Sequence, residues 1–231
     1  MYRLVSQPFL ARGDTVAVVG YRTYPTTDAT GQVEDLESAM ELLHRERSDL
    51  TSKEVIVMGH SSGAHIGLLW LVERMKRERE GGTDVLAFVG LSGPYDISHH
   101  FDYEANRGVE EISPMKAACG YTRANFRRNS PHLYFQTLLT SRSNECDIVS
   151  LLPRRMLLVH GMEDDVVPFT TTCDTARLLR GCGCSVEEMY LARRKHEDTV
   201  MEFMLGGFGC EGVLNWLDGG KGAELLGGSR L

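Results

Sequence analysis

Long apolar runs are missing from this 231-residue sequence. The stretches at 55–58, 67–72 and 156–159 stop far short of the roughly 18 residues that a membrane-spanning helix needs, so no span is expected in the chain. An excess of basic residues is missing too. Lys and Arg number 25 against 32 Asp and Glu, a net charge of −7. With no basic face or arm, nucleic acid is not expected as a partner. The start, Met1-Tyr2-Arg3-Leu4, lacks the basic-then-apolar layout of a secretory leader. Zinc-type spacing is absent from the six cysteines (119, 146, 173, 182, 184 and 210), so no metal site is expected. Cys182-Gly-Cys184 falls where a helix should end and a strand begin, which argues against a redox or metal motif. All six are read as reduced thiols of an intracellular, cytoplasmic protein. No internal repeat or low-complexity tract occurs.

What remains is ordinary for a soluble globular protein: 42% hydrophobic and 25% charged residues. The length suffices for one well-buried domain with an insertion. Strand patterns at 15–19, 55–58, 85–91, 156–160 and 185–191 alternate with helical ones. Val33, Leu36, Met40 and Leu43 share one helical face, and further helices are predicted over 66–76, 170–179 and near 213–217. Gly181 or Gly183 is expected to cap the second of these. This βαβα order predicts an α/β fold, a mostly parallel sheet with helices on both faces. Residues 98–150 break the rhythm. They show no strand and are rich in His, Arg, Asn and Ser, which predicts a cap or insertion. The expected organisation is a single domain over 1–218 and a flexible tail over 219–231.

The sharpest motif is Gly59-His60-Ser61-Ser62-Gly63, between a predicted strand and a predicted helix. A G-x-S-x-G sequence in that setting is a strand-to-helix elbow that exposes a nucleophilic serine, here Ser61. Small residues at Gly59 and Gly63 are expected to prevent main-chain clashes in the tight turn. The helix N-terminus would present free N–H groups toward developing negative charge.

A serine hydroxyl needs a base to take its proton, and in this topology an acid and then a histidine should follow in sequence. The predicted strand at 156–160 runs into Gly161-Met162-Glu163-Asp164-Asp165, where Asp164 and Asp165 both qualify as the acid and Glu163 is a weaker third. His196 follows the last predicted strand and is the candidate base. His160 is expected to support the acid loop. His60 and His65 flank the elbow, and His99 and His100 lie in the presumed cap.

These residues resemble the carboxylesterase-like α/β-hydrolases, a group that includes the esterase/lipase family with an H-G-G motif, kynurenine formamidase and prenylcysteine methylesterase. The likeness rests on residues 59–65, on Tyr21-Arg22-Thr23-Tyr24-Pro25, and on His160-Gly161-Met162-Glu163-Asp164-Asp165-Val166-Val167-Pro168. The last of these implies that the acid is Asp164. Ser92-Gly93-Pro94-Tyr95-Asp96, His100-Phe101, Arg107-Gly108 and Ser130-Pro131 are similar to the methylesterase branch. The resemblance spans about residues 10–217.

The resemblance implies two-step ester hydrolysis by Ser61, His196 and Asp164 without metal or organic cofactor. It also implies the Ser62 N–H as an oxyanion donor and His100 and Phe101 as substrate contacts. The expected substrate is a small-molecule ester, in the methylesterase branch the methyl ester of a prenylated cysteine. An arylformamidase would use the same triad. In one respect the sequence departs from the family: it contains no H-G-G segment, the usual second source of oxyanion N–H groups. By analogy the first strands of the sheet are expected to be missing, and with them any membrane anchor. Loss of one such donor typically costs about 100- to 1,000-fold in rate, so an inactive pseudo-hydrolase is the non-enzymatic alternative. The oligomeric state is left open.

Overall fold

The computed structural model describes residues 2–46, 55–77, 85–141 and 151–219. The tail beyond Gly219, and Cys146, lie outside the described residues. Among the described residues four strands, β1 (Val55–His60), β2 (Val85–Leu91), β3 (Arg155–Gly161) and β4 (Val186–Leu191), form one sheet in the order 1-2-3-4. Every pairing is parallel, with Gly90 opposite Gly59 and Leu158, and Tyr190 opposite His160. Parallel neighbours require crossovers, and helices supply them. α3 (Ser62–Arg77) joins β1 to β2, and α8 (Thr170–Gly181) joins β3 to β4.

The inner strands β2 and β3 run as near-continuous apolar segments because both of their faces are covered. On β2 and β3, Phe88, Met156 and Leu158 face a core built with α2 (Ala29–Glu46), α3 and α8. The alternate residues Ala87, Val89, Leu91, Leu157 and Val159 face a second core. That core contains Phe203 of α9 (Asp198–Leu205), Val213 and Trp216 of α10 (Phe208–Leu217), and Phe9 of α1 (Gln7–Ala11). The rings of Phe9 and Phe203 stack at 5.9 Å and tie the N-terminal helix to this layer.

Between β2 and β3 the described residues form four helices: α4 (Ile97–Asn106), α5 (Pro114–Ala118), α6 (Arg123–Arg128) and α7 (Pro131–Ser141). Side chains of Asp96, Ser113 and Thr122 accept N–H bonds at the starts of the first three, which is why short helices persist here. Among its described residues the insertion is helical and, as expected, contains no strand. It is anchored by bonds from the Ile97 N–H to Ser130 Oγ (2.9 Å) and from the His132 N–H to the Tyr95 carbonyl (3.1 Å).

Two expectations need correction. The strand predicted over 15–19 does not join the sheet: these residues form no ladder, and Val18 is 51% exposed. A β-branched run becomes a strand only beside a partner, and among the described residues β1 ends the sheet on that side with β2 as its one neighbour. Three residues beyond the segment, Arg22 is forked onto Asp35 of α2. In addition, α9 was not foreseen, and α10 starts at Phe208, five residues before the predicted 213. At the end of α8 it is Gly183 (φ +93°) that adopts the left-handed turn, while Gly181 is still helical.

Candidate active site

β1 delivers its chain directly into the elbow. The Ser61 N–H donates to the Leu91 carbonyl (2.8 Å), which extends the β1–β2 pairing by one residue. Ser61 then turns with φ +53°, a left-handed conformation that a residue with a Cβ adopts at a cost of about 1–3 kcal/mol. Its carbonyl accepts from the N–H groups of Ala64 and His65, which starts α3. Gly59 is sterically required, since a Cβ there would collide with the main chain of Gly63 and Ala64. Gly63 does not share that role: a Cβ on it would meet nothing within 4 Å. Ser62 is the first residue of α3, so its N–H has no partner within the helix and lies at the positive helix end. Its hydroxyl shares a 3.0 Å hydrogen bond with Tyr21.

The loop between β4 and α9 carries His196, which is 5% exposed. His196 Nε2 lies 2.8 Å from Ser61 Oγ and Nδ1 lies 2.7 Å from Asp164 Oδ2. A carboxylate only accepts, so Nδ1 carries the proton and Nε2 offers its lone pair to the Ser61 hydroxyl. Asp164 Oδ1 accepts from the N–H groups of Val166 (2.9 Å) and Val167 (2.8 Å). Its Oδ2 also lies 3.1 Å from His160 Nε2, which bonds the Val167 carbonyl at 2.9 Å. Burial opposes the charge on Asp164. The hydrogen bonds from His160 and His196, the charge of His196 and the Val167 N–H outweigh that and hold the carboxyl well below the usual carboxylate range. Asp165 and Glu163 are exposed. Of the three acids that the sequence leaves open, the structure brings Asp164 to His196.

The remaining candidates sit elsewhere. His65 is buried, with Nε2 donating to the Asn129 carbonyl at 2.6 Å, and burial pushes it down to about 4. His100, 2% exposed, lies inside the insertion with its Nε2 3.2 Å from Glu104 Oε1. Phe101 packs on Phe126 with the Arg123 guanidinium 4.8 Å above its ring. No hydrogen bond or ion pair joins His100 to Ser61, Asp164 or His196. Thr199 was missed by sequence reasoning. Its hydroxyl donates to the His196 carbonyl at 2.9 Å, and the signal available was a Thr three residues after the histidine, the spacing of a local side-chain-to-backbone bond.

Burial pushes the Cys119 thiol up to about 12, and burial with the neighbouring Cys182 does the same for Cys184. No disulfide joins two described cysteines. Among the described residues no cluster of three His, Cys, Asp or Glu could hold a metal ion, and no helix is long and apolar enough to cross a membrane.

Comparison with known proteins agrees with this architecture. The chain is 25% identical over 212 residues to a protein of Oryza sativa subsp. japonica named a probable isoprenylcysteine alpha-carbonyl methylesterase, covering 88% of this chain and 49% of that one. An Arabidopsis thaliana isoprenylcysteine alpha-carbonyl methylesterase is 24% identical over 212 residues, covering 88% and 48%. The chain thus spans about half the length of these relatives. The crystal structure of carboxyl esterase 2 from the mycorrhizal fungus Tuber melanosporum superposes with a TM-score of 0.71 at 15% identity, covering 94% of this chain and 70% of that one. That likeness shows that the two chains share a fold. The BD-FAE family profile matches residues 1–179, and the chain belongs to the BD-FAE family.

Proposed function

We propose that this chain is a serine hydrolase that cleaves carboxylic esters, with Ser61 as nucleophile, His196 as general base and Asp164 as the group that orients His196. Nε2 of His196 takes the Ser61 proton as Oγ attacks the ester carbonyl, and the oxyanion that forms faces the Ser62 N–H. The imidazolium, stabilised by Asp164, returns the proton to the leaving alcohol, and an acyl-serine remains. A water that gives its proton to His196 then attacks the acyl carbon, and the acid leaves as Ser61 is regenerated.

The observation that carries this reading is the unbroken hydrogen-bond chain from Ser61 Oγ through His196 to Asp164, at 2.8 and 2.7 Å. The named relatives support a methyl ester of a prenylated cysteine as substrate, with helices α4 to α7 of the insertion as a cap. A fluorophosphonate probe should label the wild type and not Ser61→Ala; equal labelling of both would remove Ser61 as nucleophile. Turnover of a prenylcysteine methyl ester is expected to exceed that of a short p-nitrophenyl ester and of N-formylkynurenine. Preference for the formamide would move the chain to arylformamidase chemistry.

A further inference from the structure

An imidazole on a loop must be held as closely as one on a strand if it is to sit 2.8 Å from its nucleophile. The main-chain carbonyl of His196 shows how. It accepts two hydrogen bonds, from His60 Nε2 at 3.0 Å and from Thr199 Oγ1 at 2.9 Å. A carbonyl cannot donate, so His60 carries its proton on Nε2. The Thr199 hydroxyl gives its one proton to the carbonyl and can only accept from Ser92 Oγ, 3.1 Å away. His196, His60, Thr199 and Ser92 are all buried.

The donors reach back to the sheet. His60 is the last residue of β1. Ser92 follows β2 with φ +48° and donates its N–H to Val159 of β3 at 2.8 Å. The carbonyl is thus tied to the end of β1 directly through His60, and to the segment after β2 through Thr199 and Ser92. A single donor would satisfy that buried oxygen; two from separate elements occupy both lone pairs and fix the peptide plane that sets the His196 Cα–Cβ direction. The His60 ring also packs against the His196 ring, 4.9 Å away at 47°.

We propose that His60 and Thr199, the latter backed by Ser92, are positioning residues that lock His196 in register with Ser61 by clamping its main-chain carbonyl. The proposal rests on the hydrolase reading above. In the full chain, Thr199→Val and His60→Met each delete one donor, while Thr199→Ser and His60→Gln keep one. Two quantities are read: kcat and KM on p-nitrophenyl acetate, and the downfield proton signal of the His196 Nδ1–H, assigned by its loss in His196→Gln.

The donor deletions are expected to lower kcat on the order of 10- to 100-fold, the loss associated with misplacement of about 1 Å, with KM changed less than about twofold. They should also shift or broaden the Nδ1–H signal, and the donor-retaining variants should restore both readouts. An unchanged signal in both deletion variants overturns the clamp, as does failure of Thr199→Ser to restore a folded variant. The signal is read whether or not the chain turns over. Failure of the hydrolase reading is seen separately, as equal probe labelling of wild type and Ser61→Ala.

Discussion

Gly161 and Arg194 touch main chain to main chain, because a Cβ on Gly161 would run into the Arg194 carbonyl. Gly161 ends β3 and opens the loop that carries Asp164; Arg194 precedes His196 by two residues. The contact is bridged by the Glu163 N–H, which donates to the Arg194 carbonyl at 3.0 Å, and by the Met162 N–H to Leu191 at 3.0 Å. The acid loop and the histidine loop are thus zipped together by backbone, and the 2.7 Å bond from His196 to Asp164 follows from that closeness.

Gly161→Ala should therefore pry the two loops apart. Overpacking of this kind costs about 1–3 kcal/mol of stability. The larger effect is expected on fluorophosphonate labelling, which should slow at least about tenfold, because a displaced Asp164 no longer holds the His196 tautomer. Labelling at the wild-type rate in a destabilised variant would show that the zipper carries stability alone.

The two elbow glycines give a sharper contrast. Gly59→Ala places a methyl group against the main chain of Gly63 and Ala64 and should cost about 1–3 kcal/mol in urea denaturation. Gly63→Ala meets open space at an ordinary helical position and should be neutral or stabilising by about 0.5 kcal/mol. Equal destabilisation by both would contradict the elbow geometry.

That contrast also marks the limit of what could be read from sequence. The strands at Val55, Val85 and Met156 were legible because those residues open or lie in short apolar runs bounded by turn residues, and the order Ser61, Asp164, His196 pointed to the candidate site. The run at 15–19 has the same local chemistry and no partner strand; pairing is a property of neighbours, which a single segment does not encode. α9 escaped notice because its apolar residues are crowded rather than periodic and its first residue has no side-chain cap, although Gly206-Gly207 marks its end. The motif gave Gly59 and Gly63 equal standing. Only the path of the chain distinguishes a glycine pressed against backbone from one facing open space. Likewise Asp164 and Asp165 differ by one step along a turn, and that step decides which carboxylate is buried.

Stability should fall on mild acidification, and His65 should be a main cause. Burial holds His65 at about 4 in the folded chain against about 6.5 when unfolded. Between those values the unfolded chain binds more protons, so stability decreases as pH falls, with the loss complete below about pH 4. From pH 7.5 to 5 this one residue accounts for about 2 kcal/mol. Burial lowers His60 as well, so the wild-type slope includes it. Asp164 does not contribute in this window: its folded carboxyl is depressed, so its stabilisation is complete above the unfolded value near 3.9 and is lost only at lower pH. His65→Gln, which keeps a donor for the Asn129 carbonyl, should flatten the pH dependence by about 2 kcal/mol over this range in urea denaturation. An unchanged slope would place the titrating group elsewhere.

Asp164→Asn and Asp165→Asn should differ by orders of magnitude, although the residues are adjacent. Asp164 Oδ1 accepts two N–H bonds, from Val166 and Val167, and an amide oxygen would keep that place. The amide NH2 would then face His196 Nδ1 and His160 Nε2, donor against donor. His196 relieves the clash by moving its proton to Nε2, and in that tautomer it has no lone pair for the Ser61 proton. A wrong-tautomer change of this type lowers kcat by about 10⁴-fold in a serine triad. Asp165 is exposed, and the contacts it makes with Tyr103 and Arg107 use its main-chain carbonyl, which substitution leaves in place. Asp165→Asn should therefore turn over p-nitrophenyl acetate at close to the wild-type rate. A large loss in Asp165→Asn, or near-normal turnover in Asp164→Asn, would move the acid to the neighbouring residue and overturn the proposed triad.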